Sequence, residues 1–452
     1  MLTSPRADDF SAQTKTIMTT AESEVFMRRA IVLARRAWGD THPNPHVGAL
    51  IVEGGRVVAE GWHERAGGPH AEICALRALG RKPAPDAALV VTLEPCCTHG
   101  RTGACTDAIL AAGIRRVVAG ATDPFPAHSG RGFALLREAG VSVAAGVLAR
   151  ECEDLNLIFN HSVAHGGAPF VALKTATTLD GRIATRAGKS QWITGPEARA
   201  DVMRWRRYFP AAAVSAATVL ADNPRLTCRI AGEPECCPVR FVFDRRLRTA
   251  GREGLHVFED AFAGKTVVVT TAETAADAAG EAGGEAGGEG VAAGEAAGGV
   301  AEEEVRATAA TAGVVAAERT RSVAQTILSV SELSALTAER ARALATFAAR
   351  GVAVWQLPAA TDEVFFSAFK ARCVEAGLSG IWVEGGGTFL GAWLRSGEAD
   401  CVFFYSAPKI IADAAALPAF AGADCPSLAG ISVLRNVRRE IFGDDLLTRG
   451  FL

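Results

Sequence analysis

The chain has 452 residues, which is long enough for two domains with sizeable cores. Its composition, with 49% hydrophobic and 21% charged residues, excludes wholesale disorder. Its formal net charge of −3 shows none of the Lys/Arg surplus that a binder of long nucleic acid uses to displace counterions. Small molecules are therefore the expected partners, and nucleic acid is not.

The cysteines and the N-terminal residues indicate the compartment. Eleven cysteines, an odd number spread over a long chain, favour reduced thiols and metal ligation over disulfides. Residues 1–22 are polar and aperiodic, without the apolar segment of a secretory leader, and predict a disordered N-terminal extension. No stretch approaches the roughly 18 apolar residues of a membrane span. We expect a cytoplasmic protein without membrane contact.

Residues 23–150 read as a first α/β domain. Helical periodicity begins at Glu24, and a strand-like run at 47–52 leads through the hairpin signal Gly54-Gly55 into a second strand. A helical stretch at 69–79, a buried strand at 88–93 and further alternating units follow. This order predicts a three-layer α/β/α domain.

Residues 169–452 read as a second α/β domain after a short helix and linker at 151–168. Strand-like runs occur at 239–243, 266–270 and 381–384, with helical stretches between them. The interval from about 272 to 321 is almost entirely Ala, Gly, Glu and Thr, and cannot bury enough apolar surface to offset the entropy of ordering it. We predict that this interval is a flexible surface insertion.

A zinc-dependent deaminase site is indicated by His70-Ala-Glu72, followed by Pro95-Cys96 and later by Cys105. In cytidine-type deaminases one His and two Cys thiolates hold zinc, while the Glu two residues after the His carries protons without binding the metal. With three protein ligands, zinc keeps a fourth position for water and lowers the pKa of that water toward about 7. The pattern predicts three metal ligands, His70, Cys96 and Cys105, with Glu72 as general acid and base.

The same residues also fit a structural interpretation. Cys97 would be the fourth ligand of a closed zinc site, or the cysteines would be buried without a metal. A structural site does not need Glu72, and its presence favours catalysis.

Three longer motifs narrow the substrate class. They are Thr41-His-Pro-Asn-Pro-His-Val-Gly48, Gly61-Trp-His-Glu-Arg-Ala-Gly-Gly-Pro-His-Ala-Glu72 and Leu93-Glu-Pro-Cys-Cys-Thr-His-Gly-Arg-Thr-Gly-Ala-Cys105. Cytidine and tRNA-adenosine deaminases typically show Pro-Cys-x-x-Cys, whereas the spacing between Cys96 and Cys105 is longer here. With these motifs the chain resembles the bifunctional deaminase–reductase family of riboflavin biosynthesis, whose members carry T-x-P-N-P-x-V-G, G-x-H-x-x-A-G-x-P-H-A-E and L-E-P-C-x-x-x-G-[RK]-T-x-x-C in this order.

The resemblance implies substrate contacts in the first domain. Asn44, His63 and the loop around Arg101 are implied to bind the pyrimidine or its ribosyl phosphate, and a permanent cation suits a phosphate. A solvated surface Arg and a structural His are the alternatives. The family commonly has His two residues after the first Cys, whereas this chain has Thr98 there and His99 next.

Glycines in the second domain predict an anion site. A Gly-x-Gly-x-x-Gly after a strand is lacking, so the usual Rossmann site is not supported. The run Glu384-Gly-Gly-Gly-Thr388 lies between an apolar run at 380–383 and a helical stretch at 390–394, where backbone N–H groups can approach an anion. Taken alone, this run fits a tight turn equally well.

Longer motifs in this half extend the resemblance to the reductase domain of the same family, whose fold is similar to dihydrofolate reductase. They are Leu173-Lys-Thr-Ala-Thr-Thr-Leu-Asp-Gly-Arg-Ile-Ala184, Ser190-Gln-Trp-Ile-Thr194 and Val219-Leu-Ala-Asp-Asn-Pro-Arg-Leu-Thr-Cys-Arg229. Thr178 stands where Ser is common, which keeps a hydroxyl. The resemblance covers most of residues 24–452 outside the insertion.

The resemblance implies that this domain binds NADPH and reduces a ribosyl group. Cofactor contacts are implied for Ala176, Trp192, Thr218, Asp222, Gly386, Gly387 and Thr388. Substrate contacts are implied for Ser190, Arg206, Leu226, Arg229 and Glu384. Two arginines can neutralise a 5′-phosphate, and Lys174 with Glu384 can handle protons as the sugar ring opens. A structural ion pair is the alternative for Lys174 and Glu384, and a core position is the alternative for Trp192.

The predicted function is hydrolytic deamination of 2,5-diamino-6-ribosylamino-4(3H)-pyrimidinone 5′-phosphate, followed by NADPH-dependent reduction to 5-amino-6-(5-phospho-D-ribitylamino)uracil. One alternative is a deaminase for another base with an inactive C-terminal scaffold. Another is a nucleotide-binding or regulatory module with structural zinc. The family also suggests a homo-oligomer.

Overall fold

The computed structural model describes residues 18–98, 103–272, 338–422 and 425–452. The chain divides into two units, residues 1–156 and 157–452. The mixed α/β class predicted for both halves is confirmed. Most of the predicted insertion and of the predicted N-terminal extension lies outside the described residues.

A five-stranded sheet forms the centre of the first unit. Its strands are β1 (Gly48–Glu53), β2 (Arg56–Trp62), β3 (Ala88–Leu93), β4 (Arg116–Ala121) and β5 (Ser142–Ala144). The spatial order is β2-β1-β3-β4-β5, in which β1 runs antiparallel to its two neighbours and the last three strands are parallel. The hairpin predicted at Gly54-Gly55 joins β1 to β2, and both glycines have the positive φ that such a turn requires.

Helices cover both faces of this sheet. They are α1 (Thr20–Ala34), α2 (Ala71–Leu79), α3 (Cys105–Ala112), α4 (Arg131–Glu138) and α5 (Ala149–Asp154). Successive residues of β1 face opposite sides of the sheet. Leu50 belongs to the core with α1, whereas Ile51 belongs to the core with α2 and α3. The predicted three-layer α/β/α arrangement is therefore present.

Two boundaries differ from the sequence-based expectation. Helix α1 begins at Thr20 rather than Glu24, because Thr19 and Glu22 form a capping box that satisfies the first backbone N–H groups. The interval predicted as a short helix and linker, 151–168, contains the end of α5 and a further helix, α6 (Leu157–Ala164). Cys152 is buried in the core of the first unit, and the boundary between the units follows residue 156.

A nine-stranded sheet forms the centre of the second unit. Its strands are β6 (Phe170–Thr178), β8 (Ala211–Ser215), β9 (Val239–Phe243), β10 (Thr266–Thr271), β11 (Ala353–Leu357), β12 (Gly380–Glu384), β13 (Cys401–Ala407), β15 (Arg435–Phe442) and β16 (Asp445–Phe451). The spatial order is β11-β10-β9-β8-β12-β6-β13-β16-β15, with parallel pairing from β11 to β13 and antiparallel pairing beyond. Strands β7 (Arg182–Ala184) and β14 (Leu417–Pro418) form a separate pair.

Helices pack on the faces of this sheet as well. They are α7 (Pro196–Tyr208), α8 (Ala216–Asp222), α9 (His256–Glu259), α10 (Ala338–Ala349), α11 (Asp362–Glu375) and α12 (Gly387–Arg395). Aromatic side chains of α11 and α12 build one core, and Phe258 and Phe347 belong to the other. Among the described residues, no helix has the length and apolar character that a membrane crossing requires.

Candidate active sites

The three predicted metal ligands lie together at the ends of two helices and one strand of the first unit. His70 is the residue before α2, Cys96 follows β3 and Cys105 begins α3. The Nδ1 atom of His70 is 3.2 Å from the Sγ atom of Cys105 and 3.5 Å from that of Cys96. All three ligand atoms lie within 4.8 Å of one another. The fold thus brings together three residues that are separate in the sequence.

This donor set suits zinc. One imidazole nitrogen and two thiolates are borderline-soft ligands of the kind that hold zinc in tetrahedral sites. Hydrogen bonds from the side chain of Cys105 and from His70 lower the pKa of Cys96 to about 4, which favours the thiolate that binds metal. Three protein ligands leave one coordination position for water.

Glu72 faces this cluster from the first turn of α2. Its side chain is only 3% exposed, and its carboxyl hydrogen-bonds with the thiol of Cys105. Burial raises the pKa of Glu72, and the neighbouring His70 opposes that rise. The residue predicted as the proton carrier is therefore within reach of the ligands and shielded from solvent.

Cys97 points away from the three ligands. Its Sγ atom lies 3.9 Å from the carbonyl oxygen of Ala127 and 4.0 Å from Nδ1 of His128. The cluster of possible metal-binding side chains found among the described residues contains His70, Cys96 and Cys105 without Cys97. The geometry does not support a closed site with Cys97 as fourth ligand.

Asn44 and His63 lie next to the ligand cluster. The His63 ring meets the His70 ring edge-on with centroids 5.7 Å apart. Nδ1 of His63 lies 2.9 Å from the carbonyl oxygen of Pro69, and Nε2 lies 3.1 Å from Nδ2 of Asn44. These contacts fit a neutral ring that donates at Nδ1 and accepts at Nε2, and burial lowers the pKa of His63 accordingly. Arg101 and His99 lie outside the described residues.

Glu94 organises the loop opposite Cys97, a role that sequence reasoning missed. Its carboxylate accepts four backbone N–H groups, from Asp123 at 3.2 Å, Gly130 at 2.9 Å, Gly132 at 2.9 Å and Phe133 at 3.3 Å. The available signal was its place in the Leu-Glu-Pro-Cys motif, two residues before a metal ligand.

A second cluster of charged residues surrounds Glu384, the last residue of β12 in the second unit. Lys174 on β6 is the register partner of Glu384 on β12, and their Nζ and Oε2 atoms are 4.0 Å apart. Arg206 of α7 donates to Oε1 of Glu384 from Nε at 2.8 Å and from the terminal nitrogen Nη2 at 2.6 Å. Trp382, which the sequence did not single out, donates to the same oxygen at 2.9 Å. In open α/β sheets the carboxyl ends of the strands are the usual ligand-binding edge.

Electrostatics in this cluster keep Glu384 ionised. Burial alone would raise the pKa of Glu384, but Arg206 and Lys174 outweigh it and lower the pKa. Burial also lowers the pKa of Lys174, partly offset by the charge of Glu384. The Nη1 atom of Arg206 donates to the carbonyl oxygen of Thr227, so this guanidinium bonds to both Glu384 and the main chain. Its contact with substrate stays a prediction.

The glycine run begins helix α12. Gly386 is the N-cap residue, and Gly387 and Thr388 form the first turn. A Cβ at Gly387 would clash with the carbonyl of Pro418, which explains why glycine is needed there. Thr218, in the first turn of α8, bonds through its hydroxyl to Ser215 at the end of β8 and lies near Gly385. These two helix starts lie at the same edge of the sheet.

The remaining predicted residues of the second unit have varied surroundings. Trp192 is 65% exposed beneath the guanidinium of Arg199, so the alternative core position is excluded. The Leu226 side chain is buried in a hydrophobic cluster, which leaves only its backbone for a ligand. Three of the predicted residues have exposed or partly exposed side chains: Ala176, Ser190 and Asp222. Their contacts with cofactor or substrate stay predictions. Arg229 is exposed and donates to the hydroxyl of Thr227.

Comparison with known proteins finds a matching protein family for each unit. A model of the cytidine and deoxycytidylate deaminase zinc-binding region matches residues 20–121, and a model of the RibD C-terminal domain matches residues 169–282. The chain is similar to riboflavin biosynthesis protein RibD of Bacillus amyloliquefaciens, with 32% identity over 94% of both chains. It is 45% identical to the Actinobacillus pleuropneumoniae protein and 50% identical to the Escherichia coli protein over 55% and 46% of its own length. Those two matches span only 64% and 56% of the relatives.

Two solved structures are similar to this chain over nearly its whole length. A Thermotoga maritima diaminohydroxyphosphoribosylaminopyrimidine deaminase/5-amino-6-(5-phosphoribosylamino)uracil reductase has a TM-score of 0.66 and 31% identity, covering 95% of this chain and 98% of that one. Acinetobacter baumannii RibD has a TM-score of 0.64 and 26% identity, with coverage of 96% and 99%. The first unit carries a zinc-binding deaminase domain and the second a reductase domain of the RibD type. The chain therefore belongs to the RibD family of riboflavin biosynthesis proteins.

Proposed function

We propose that this chain catalyses two consecutive steps of riboflavin biosynthesis. The first is hydrolytic deamination of 2,5-diamino-6-ribosylamino-4(3H)-pyrimidinone 5′-phosphate. The second is NADPH-dependent reduction of the ribosyl group, which yields 5-amino-6-(5-phospho-D-ribitylamino)uracil. The observation that carries the proposal is the buried Glu72 beside the cluster of His70, Cys96 and Cys105, in a chain that matches a RibD relative over 94% of both lengths.

In the deamination step, Glu72 is the proton carrier. His70, Cys96 and Cys105 would hold a zinc ion, which would act as a Lewis acid and make the attacking water acidic at neutral pH. Glu72 takes a proton from that water and delivers protons to the ring nitrogen and to the departing ammonia. Its burial excludes competing solvent from this transfer.

Asn44 and His63 are proposed to hold the pyrimidine against the cluster. Their mutual hydrogen bond fixes the His63 ring, so the Asn44 side chain has a defined orientation. The phosphate is proposed to be bound by Arg101, on sequence grounds alone, because that residue lies outside the described ones.

In the reduction step, bound NADPH would supply the hydride for the sugar carbon that carries the amine. We propose that Lys174 and Glu384 move protons as the sugar ring opens, since they face each other where β12 ends, and ligands of open α/β sheets usually bind at the carboxyl ends of the strands. Arg206 and Trp382 hold the Glu384 carboxylate in place. Arg229, which is exposed, is the proposed phosphate ligand, and the starts of α8 and α12 are proposed to receive the cofactor.

The experiment follows both products in one reaction. The zinc-loaded chain is incubated with the diaminopyrimidine ribosyl phosphate and NADPH, while ammonia and NADPH absorbance are recorded together. We expect stoichiometric ammonia followed by NADPH loss. Ammonia without NADPH loss would favour a deaminase with an inactive second domain. The absence of both ammonia release and NADPH loss would reject the proposed substrate.

A matched variant separates the two steps. Glu72→Gln keeps the size and polarity of the side chain but removes proton transfer, so deamination should fall by about 10²–10⁴-fold. Its reduction of the deaminated intermediate should equal that of the parent chain. Ammonia release at the parent rate would reject Glu72 as the proton carrier.

The cytoplasmic location and the homo-oligomeric assembly stay predictions.

A further inference from the structure

His128 lies on the loop between β4 and α4, outside every motif singled out in the sequence, yet its ring meets the segment that follows a metal ligand. The backbone N–H of Cys97 points to Nδ1 of His128, with a donor–acceptor distance of 3.4 Å. The hydroxyl of Thr98 lies 3.2 Å from Nε2 of the same ring. One imidazole therefore contacts both residues that come directly after Cys96.

The loop that carries His128 is fixed independently of this ring. Glu94 accepts hydrogen bonds from the N–H groups of Asp123 and Gly130, on either side of His128. The backbone of His128 itself donates to the carbonyl of Phe125 and accepts from Arg131. The position of the imidazole is thus set by the loop, and Cys97 and Thr98 are held against it.

The two contacts require different properties of the two ring nitrogens. Nδ1 must be an unprotonated acceptor to receive the Cys97 N–H, and Nε2 then carries the hydrogen that Thr98 can accept. A neutral imidazole with its hydrogen on Nε2 meets both requirements. An aliphatic side chain at position 128 would meet neither.

We propose that His128 is a positioning residue of the deaminase site, which fixes the main chain at Cys97 and the hydroxyl of Thr98 for binding of the ribosylaminopyrimidine. The proposal deepens the function of the first unit and rests on that proposed deamination. Substrate binding is the role that we infer because Cys97 and Thr98 directly follow the metal ligand Cys96, while in the hydrogen bonds of the described residues His128 contacts neither the ligand atoms nor Glu72.

The kinetic test compares three variants. His128→Ala should raise KM for deamination about 10-fold, as expected for loss of one or two neutral hydrogen bonds, while kcat and zinc content stay near the parent values. His128→Asn restores an acceptor near the Nδ1 position and should recover most of the parent KM. His165→Ala, at an exposed histidine of the second unit, is the matched control and should change nothing.

A second readout does not depend on activity. With zinc bound, Cys97 should react with iodoacetamide several-fold faster in His128→Ala than in the parent chain, measured by mass spectrometry of its peptide, and His128→Asn should slow it again. A parent-like KM and alkylation rate in His128→Ala would overturn the proposal, and so would loss of zinc together with kcat. Failure of the parent chain to release ammonia would instead reject the proposed function, and the alkylation rates would still report whether His128 holds Cys97.

Discussion

Two buried glutamates near the metal ligands have different roles because different groups surround them. The carboxylate oxygens of Glu94 accept four backbone N–H groups from the loop and the start of α4, so this side chain holds structure. Glu72 instead faces Cys105 and the ligand cluster. The same residue type is thus a scaffold in one place and the proposed proton carrier in another.

A buried histidine in the second unit predicts a pH dependence of stability. The pKa of His161 is lowered to about 4 by burial, then by the nearby His165 and Lys370. The unfolded chain, with a histidine pKa near 6.5, therefore binds more protons between about pH 6.5 and 4, and stability falls as the pH falls through that window. At pH 5 the expected loss is about 2 kcal/mol relative to neutral pH.

The measurement compares the parent chain with His161→Gln. Urea unfolding at pH 7.5 and 5 is read by hydrogen exchange of peptides from β6, which belongs to the same unit. The variant should lose less stability than the parent between the two pH values. His165→Gln removes only the smaller contribution of His165, so its loss should lie between those of the parent and His161→Gln. Equal losses in parent and His161→Gln would contradict the assignment.

At the scale of elements, close contacts between strands and helices position the metal ligands. A Cβ at Gly61 of β2 would lie 2.5 Å from the carbonyl oxygen of Ala71 and 2.8 Å from the carbonyl carbon of Cys74, both in α2. That helix follows His70 and carries Glu72 in its first turn. Glycine in β2 is therefore what allows α2 to approach the sheet closely enough to build the site.

Gly61→Ala should displace α2. We expect a loss of about 1–3 kcal/mol in the stability of the first unit, as for other overpacked sites, together with reduced zinc content. Gly264→Ala is the control, because a Cβ there meets no atom within 4 Å. Urea unfolding and zinc analysis of both variants provide the measurement. Unchanged zinc content and stability in Gly61→Ala would show that the helix can shift without cost.

At the scale of the whole molecule, each unit has its own sheet and its own hydrophobic clusters. The metal cluster uses residues of the first unit alone, and the Lys174–Glu384 pair uses residues of the second alone. The two proposed reactions therefore have separate structural foundations.

Metal removal should accordingly affect one reaction only. Dialysis against a chelator should abolish ammonia release, because the nucleophilic water requires the metal, and added zinc should restore it. NADPH oxidation with the deaminated intermediate should stay within about twofold of the zinc-loaded chain. Parallel loss of both activities would show that the second unit depends on the first for its fold.

The sequence by itself determined the α/β class, and it predicted the metal ligands that the structure brings together and the proton carrier beside them, since these rest on short-range patterns. His70 and Glu72 lie two residues apart at a helix start, and Cys96 follows a strand that reads as a buried apolar run. Hydrophobic periodicity and motif spacing record such features directly.

Only the tertiary structure decided which side chains of distant segments contact each other. Arg206 and Glu384 are 178 positions apart in the chain, so no local pattern predicts that this arginine binds the Glu384 carboxylate. The contacts of His128 with Cys97 and Thr98, and the four hydrogen bonds of Glu94, likewise join segments about 30 residues or more apart. Such pairings depend on which strands become neighbours in the sheet, and the packing of the entire core sets that order.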